Sequence, residues 1–165
     1  MAKARGGAGQ GTPATVLLAA QGVAHSVHPY DVPADSPHYG ALVAAALGVP
    51  PAVVFKTLIT EIDGALVVAV VPVSGELDLK ALATVVGGKR AALADRAAAE
   101  RRTGYVRGGI SPLGQRKRLP TVVDASSVDA NLMYVSAGRR GLQLSIAPAD
   151  LIRLTAASTG RISSG

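Results

Sequence analysis

The sequence predicts a single mixed α/β domain, with a mostly antiparallel sheet curled toward a barrel-like core and helices packed outside it. Three observations carry this expectation. At 165 residues the chain can bury one hydrophobic core and is short for two. Strand-like and helix-like segments interleave without a regular βαβ beat, which points to a mixed sheet. Two β-branched apolar runs, residues 53–60 and 65–73, flank Asp63-Gly64, a strong hairpin signal.

Each element follows from local chemistry. Thr12-Pro13 combines an N-cap with a first-turn proline, and the apolar residues Val16, Leu17 and Leu18 run to Gly22, which stops the first helix. Residues 23–30 alternate loosely and read as a short strand, followed by a loop over 31–37. Tyr39–Leu47, rich in Ala, Leu and Val and closed by Gly48 and the Pro50-Pro51 pair, reads as a second helix. The hairpin turn is expected across Glu61, Ile62, Asp63 and Gly64. Beyond the hairpin, Asp78 caps a helix over Leu79–Val86 that Gly87 and Gly88 end. Residues 89–93 suit a brief strand, and Asp95 caps a short helix over 96–102. Residues 103–114 are Gly-rich without apolar periodicity and read as a loop. Residues 121–123, 132–136 and 142–146 are strand-like, with a turn at Gly138 between the last two, and Pro148 opens a closing helix. The ordered domain is expected over residues 12–155, between a flexible tail at 1–11 and a polar tail at 156–165.

Composition narrows the function classes. No apolar run approaches the roughly 20 residues that cross a bilayer, and the first dozen residues lack the apolar stretch of a secretory signal. The absence of cysteine excludes disulfides and a protein-borne thiol nucleophile, and fits a cytoplasmic setting. The net charge of +6 is uneven: eight basic residues between Arg101 and Arg140 face only Asp124 and Asp129, while nine basic and nine acidic side chains balance elsewhere. Such a segment attracts a polyanion, or serves as a solvated basic surface. With one Phe, four Tyr and no Trp, a broad stacking platform for single-stranded bases is not expected, so any nucleic acid is held mainly by phosphate and shape.

Several residues are candidates for chemistry. Lys56 falls mid-strand on the face of Val54 and Leu58, where a cation either snorkels to a rim or meets an anionic or polar ligand. Gly108, Gly109, Ile110, Ser111 and Pro112 form either a structural turn or a loop whose amides approach a ligand; no Gly-Lys-Ser/Thr follows, so it is not a P-loop. Ser136, Gly138, Arg139, Arg140 and Gly141 gather a hydroxyl, a flexible backbone and guanidinium groups near a strand turn. His25, His28 and His38 lack ligand spacing, so no metal and no cofactor is expected, and no Ser/His/Asp order stands out.

These segments resemble a known family. Phe55-Lys56-Thr57-Leu58, then Thr103-Gly104-Tyr105, then the block from Gly108-Gly109-Ile110-Ser111-Pro112 through Leu113-Gly114-Gln115 to Arg116-Lys117-Arg118, and finally Tyr134-Val135-Ser136 with Gly138 and Gly141, resemble the YbaK family of aminoacyl-tRNA deacylases, over roughly residues 12–155. The Gly-Ile-Ser-Pro-Leu-Gly block is the specific part. Together with His28-Pro29-Tyr30 it looks closest to the Cys-tRNA(Pro) branch of the editing-domain superfamily. The resemblance implies trans-editing: removal of cysteine from Cys-tRNA(Pro), and also from Cys-tRNA(Cys), with the substrate's own thiol attacking its ester carbonyl. It implies tRNA as partner, prolyl-tRNA synthetase as a second one, and no protein nucleophile. Lys56 would contact the aminoacyl or terminal-ribose region, with Thr57 beside it, and Tyr30 and Tyr39 would wall the pocket. Gly108, Gly109, Ile110 and Ser111, with Ser136 and Gly138, would present amides and hydroxyls to the carbonyl, and Pro112 would line the substrate site. Arg116, Lys117, Arg118 and Arg140 would meet tRNA phosphates. One departure stands out: where the family often carries an acidic residue, this chain has Gln143, which leaves a non-catalytic tRNA-binding module and a deacylase of Ala- or Ser-tRNA as alternatives.

Overall fold

A computed structural model describes residues 11–165. Of the flexible tail expected at 1–11, residues 1–10 lie outside the described residues. Helix α1 (Pro13–Gln21) starts as its sequence demands: the Thr15 N–H donates to Thr12 Oγ1 at 3.2 Å, the Thr12 N–H donates to Thr15 Oγ1 at 3.0 Å, and Gly22 closes the helix in the left-handed region. Strand β1 (His25–Pro29) and helix α2 (Tyr39–Leu47) follow, then a 3-10 turn at Pro51–Val53.

The hairpin β2 (Phe55–Ile62) and β3 (Ala65–Pro72) is tighter than expected. Ile62 pairs with Ala65, so only Asp63 and Gly64 form the turn, with φ of 50° and 88°. The remaining elements are β4 (Glu76–Leu77), α3 (Leu79–Val86), β5 (Ala91–Leu93), α4 (Arg96–Thr103), β6 (Thr121–Asp124), β7 (Met133–Arg139), β8 (Leu142–Ile146), α5 (Pro148–Thr155), β9 (Ser158–Gly160) and β10 (Ser163–Ser164).

The strands do not close into the barrel-like core that the sequence suggested. They form an open five-stranded mixed sheet in the order β5-β2-β3-β6-β9, an antiparallel three-stranded sheet β1-β8-β7, and a ribbon of β10 with β4. Pairing is parallel between β3 and β6 and between β6 and β9. The principal core lies between the two larger sheets. It joins Val68 and Val70 of β3 to Met133, Val135, Leu144 and Ile146, with Leu18 of α1 and Leu151 of α5 sealing it. Alternate β3 residues, Val67, Ala69 and Val71, point to the other face and pack with Leu82 of α3 and Ile162. A central strand buried on both faces explains why β3 reads as a continuous apolar run.

Two further expectations are corrected. Gly138 is not the β7–β8 turn: it sits inside β7 at an irregularity between Ser136 and Arg139, and the chain reverses at Arg140 and Gly141. A Cβ on Gly138 would come within 2.9 Å of both Thr12 Cβ and Tyr105 Cε1, so its glycine serves close packing beneath α1. The segment read as a polar tail, 156–165, carries β9 and β10 and buries Ile162 completely. Asp124 Oδ1 accepts the Ile162 and Ser163 N–H groups at 2.9 and 3.0 Å, stapling that segment to β6.

Candidate active site

The two larger sheets meet at one parallel bridge between Val54 and Tyr134. Beyond it β2 and β7 run in the same direction without further pairing, so a cleft opens between them. Its volume is about 560 Å³, and six consecutive residues from Val54 to Ile59 line it. The register explains this continuous lining. The Val73 N–H donates to Val54 O at 2.7 Å, which sets the register so that residues 56 and 58 exchange hydrogen bonds with β3 while 55, 57 and 59 turn their peptide groups the other way. At Ile59 the outward carbonyl is taken by the Ala94 N–H at 2.9 Å, and β5 pairs only with residues 60–62. The Thr57 peptide therefore faces the cleft with no strand beside it.

Around this open edge the fold gathers most of the residues expected from sequence. Lys56, Thr57, Tyr30, Tyr39, Gly108, Ile110, Ser136 and Arg140 all line the cleft. Lys56 stands at the rim, its side chain 36% exposed and its ammonium 3.2 Å from the exposed Glu76 carboxylate. It thus combines both readings of its spacing: a stem along the wall and a charged head at the mouth. Tyr30 and Tyr39 share a hydroxyl hydrogen bond of 2.7 Å with rings edge-on at 6.4 Å. Burial pushes the Tyr39 phenol well above its ordinary pKa, the hydrogen bond and proximity of Tyr30 add to this, and Arg140 pulls part of the way back. Ser136 Oγ accepts the Gly138 N–H at 3.1 Å, which leaves its own proton free to donate into the cleft.

Other expected residues lie elsewhere. Ser111 is fully buried, its Oγ accepting the Leu113 N–H at 3.3 Å, and Pro112 lines a separate, smaller hollow with Arg118. The Gly109 N–H is taken by Val106 O at 2.9 Å, which removes it as a donor to a ligand. The glycine pair serves close approach instead. A Cβ on Gly109 would fall 2.6 Å from Arg139 Cα, and one on Gly108, whose φ is 89°, would strike the Arg140 side chain. This loop is clamped onto the β7–β8 turn. Arg116, Lys117 and Arg118 do not reach the cleft; Arg118 Nη2 donates to Leu154 O at 3.0 Å.

The structure also adds residues that spacing did not reveal. Arg96 and Glu100 of α4 and Arg107 of the following loop line the cleft, and Glu100 Oε2 accepts from Arg96 Nε at 3.2 Å and from the Arg107 N–H at 2.8 Å. The Arg107 and Arg96 bonds hold the Glu100 carboxyl below its usual pKa. Gly40 allows α2 to press onto Val73, the residue after β3, since a Cβ there would meet Val73 Cβ at 2.7 Å, and so it sets the position of Tyr39. Gln143, noted only as a departure, is buried against the cleft. Thr57 Oγ1 and Gln143 Oε1 are two of the three buried side-chain polar atoms without a partner among the described residues. The described residues bring together no group of three or more side chains suited to a metal, and no helix among them is long and apolar enough to cross a membrane.

Comparison with known proteins places this arrangement. The family model described as the aminoacyl-tRNA editing domain matches residues 40–154. A protein of Enterococcus faecalis, EbsC, named as a proposed Cys-tRNA(Pro)/Cys-tRNA(Cys) deacylase, is 41% identical over 114 residues, which is 68% of this chain and 70% of that protein. Among solved structures, a hypothetical protein superposes with a TM-score of 0.81 at 25% identity, covering 92% of this chain and 99% of its own. A structure described as a proposed trans-editing enzyme for prolyl-tRNA synthetase gives a TM-score of 0.76 at 21% identity, covering 86% of this chain and 87% of its own. The latter likeness is one of fold.

Proposed function

This chain belongs to the aminoacyl-tRNA editing domain family and is an aminoacyl-tRNA deacylase, and from that premise we propose that it removes cysteine in trans from mischarged Cys-tRNA(Pro), with Cys-tRNA(Cys) as a second substrate. The observation that carries the reading is the open β2 edge facing Ser136 across a cleft rimmed by Lys56 and Arg140. It offers positioning and hydrogen-bond donors, with no side chain poised as a nucleophile. The likeness to a relative named for cysteinyl substrates supports the choice of amino acid.

In this reading the cysteinyl sulfur attacks the carbonyl carbon of its own ester. A carbon–sulfur bond forms, the carbonyl oxygen gains negative charge, and the bond to the ribose oxygen then breaks. The thiol proton passes through water to the departing ribose hydroxyl, leaving a four-membered thiolactone that water opens. The Thr57 N–H and the Ser136 hydroxyl are the donors for the developing oxyanion. Lys56 favours the thiolate form of the incoming sulfur and holds the terminal ribose. Fixing sulfur and carbonyl in attack geometry contributes about 7–11 kcal/mol, enough for positioning to supply much of the rate. Gly108 and Ile110 wall the pocket with Tyr30 and Tyr39, and Arg140 takes a phosphate of the acceptor end.

A deacylation panel of Cys-, Ala-, Ser- and Pro-tRNA(Pro), with and without prolyl-tRNA synthetase, tests the proposal. Selective release of cysteine is expected, and none from an S-methylcysteinyl ester. Release no faster than spontaneous hydrolysis rejects the reading, and equal release of alanine rejects thiol assistance.

A further inference from the structure

Lys56 has a partner whose purpose the cleft alone does not explain. Its ammonium lies 3.2 Å from Glu76 Oε2, yet the Glu76 side chain is 79% exposed and belongs to a strand only two residues long. A pair so open to water adds little to stability, because solvent screens it and two long side chains must be ordered to make it. What such a contact can do is choose one position for a flexible head. The four-carbon stem of lysine carries rotamer freedom that a substrate must otherwise remove on binding. Glu76 takes one of the three ammonium donors and leaves two for a ligand at the mouth of the cleft. Glu100, the carboxylate that lines the cleft, is already taken by Arg96 and the Arg107 N–H, so it does not compete for Lys56.

Glu76 can fix a neighbour only if its own backbone is fixed, and the fold achieves this with residues from the far end of the sequence. β4 pairs antiparallel with β10, Glu76 opposite Ser164 and Leu77 opposite Ser163. β10 is secured in turn: the Asp124 carboxylate accepts the Ile162 and Ser163 N–H groups, and the Asp78 N–H donates to Ile162 O at 2.7 Å. Leu77 packs into the core cluster that contains Ile162. On the other flank of Glu76, a Cβ on Gly75 would fall 2.6 Å from Ser164 O, so the turn from β3 into β4 lies directly on β10. We infer that Glu76 is a positioning residue for Lys56: the β4–β10 ribbon fixes the carboxylate, and the carboxylate holds the ammonium at the rim where the aminoacyl end enters.

The catalytic consequence rests on the deacylase reading, the pinning of Lys56 does not, and two measurements separate them. The chain has five lysines, so isotope labelling of the lysine ε-carbons gives a simple spectrum in which Lys56→Ala identifies the Lys56 signal. Relaxation of that methylene should report a restrained head in wild type and a mobile one in Glu76→Gln. The wild-type restraint should fade between about 0.01 M and 1 M salt, as the Debye length falls from about 30 Å to about 3 Å. A Lys56 head equally mobile, or equally restrained, in both proteins overturns the assignment. The second measurement is single-turnover cleavage of cysteinyl-tRNA(Pro) with protein in saturating excess. Glu76→Gln should slow release roughly three- to tenfold, the worth of ordering one long side chain in advance, with no change in thermal midpoint. Glu76→Asp, which keeps the charge, should fall between the two. Equal rates in wild type and Glu76→Gln overturn the positioning role and leave the deacylase intact, as does a loss that accompanies a lowered thermal midpoint. No release by wild type above the spontaneous rate overturns the deacylase reading itself, and the relaxation measurement still decides whether Glu76 pins Lys56.

Discussion

Lys56 is legible in sequence because a cation in the middle of an apolar strand has few explanations, and the structure gives it a cleft to face. Its ion pair among the described residues is partly exposed and joins an exposed Glu76, so its contribution to stability is small. Lys56→Ala should therefore lower the deacylation rate at least about 100-fold, the scale on which a lost transition-state contact acts, while the thermal midpoint stays nearly unchanged. Parallel ester-release and melting measurements check this. The glycine pair was legible as special but its purpose was not, because the atoms that crowd Gly109 belong to Arg139, 30 positions along the chain. Gly109→Ala should destabilise the protein by about 1–3 kcal/mol through overpacking against that backbone, read as a lower urea midpoint. Buried phenols give a residue-level pH signature. Burial raises the pKa of Tyr105, whose hydroxyl donates to Leu113 O at 2.7 Å, as it does that of Tyr39. The unfolded chain releases these protons near pH ~10 and the folded chain keeps them, so stability is full below that value and falls above it. Urea midpoints measured between about pH 8 and pH 11 should show the decline, and Tyr105→Phe should flatten it.

At the scale of elements, helices were the most legible. Capping residues announce their ends: Asp78 and Asp95 accept from the Ala81 and Ala98 N–H groups at 3.0 Å each, and α2 and α3 occupy the spans that composition predicted. The final strands were invisible because β9 and β10 are three and two residues long and polar, so no periodicity could build up. What orders them is Asp124, one side chain that accepts N–H groups from Ser126, Ile162 and Ser163. Its burial opposes ionisation, but these hydrogen bonds prevail and hold the carboxyl below its usual pKa. Stability from Asp124 is therefore present above about pH 4 and lost as acid protonates it. Asp124→Ala should cost about 2–4 kcal/mol by orphaning these donors, and amide exchange should rise first at Ile162 and Ser163. Exchange that stays slow there would show that packing of Ile162 alone orders the segment.

For the whole molecule, the excess of positive charge was legible but its distribution in space was not. The basic run Arg116-Lys117-Arg118 lies apart from the cleft, whereas Arg96, Arg107 and Arg140, scattered in sequence, converge on it. If the acceptor stem tracks that rim, Arg107→Ala and Arg140→Ala should each reduce the slope of log K against log salt for tRNA by about 0.7–0.9, with a smaller effect from Lys117→Ala. Fluorescence anisotropy titrations at several salt concentrations measure it. The split of the strands into separate sheets was likewise illegible, since one bridge at Val54 and Tyr134 decides where pairing stops and neither residue looks unusual.

That halted pairing has a consequence for how the protein behaves in a crowded solution. An unzipped strand normally invites a neighbouring chain to add itself, and the usual end is a fibre or a precipitate. Here β5 stops at Leu93, and the vacancy beside β2 is recessed between two sheets under a fringe of like charge. A flat strand from another molecule cannot reach in, but a single aminoacylated terminal nucleotide can. The concave shape therefore lets the molecule carry bare hydrogen-bonding groups for its substrate without becoming sticky toward its own kind.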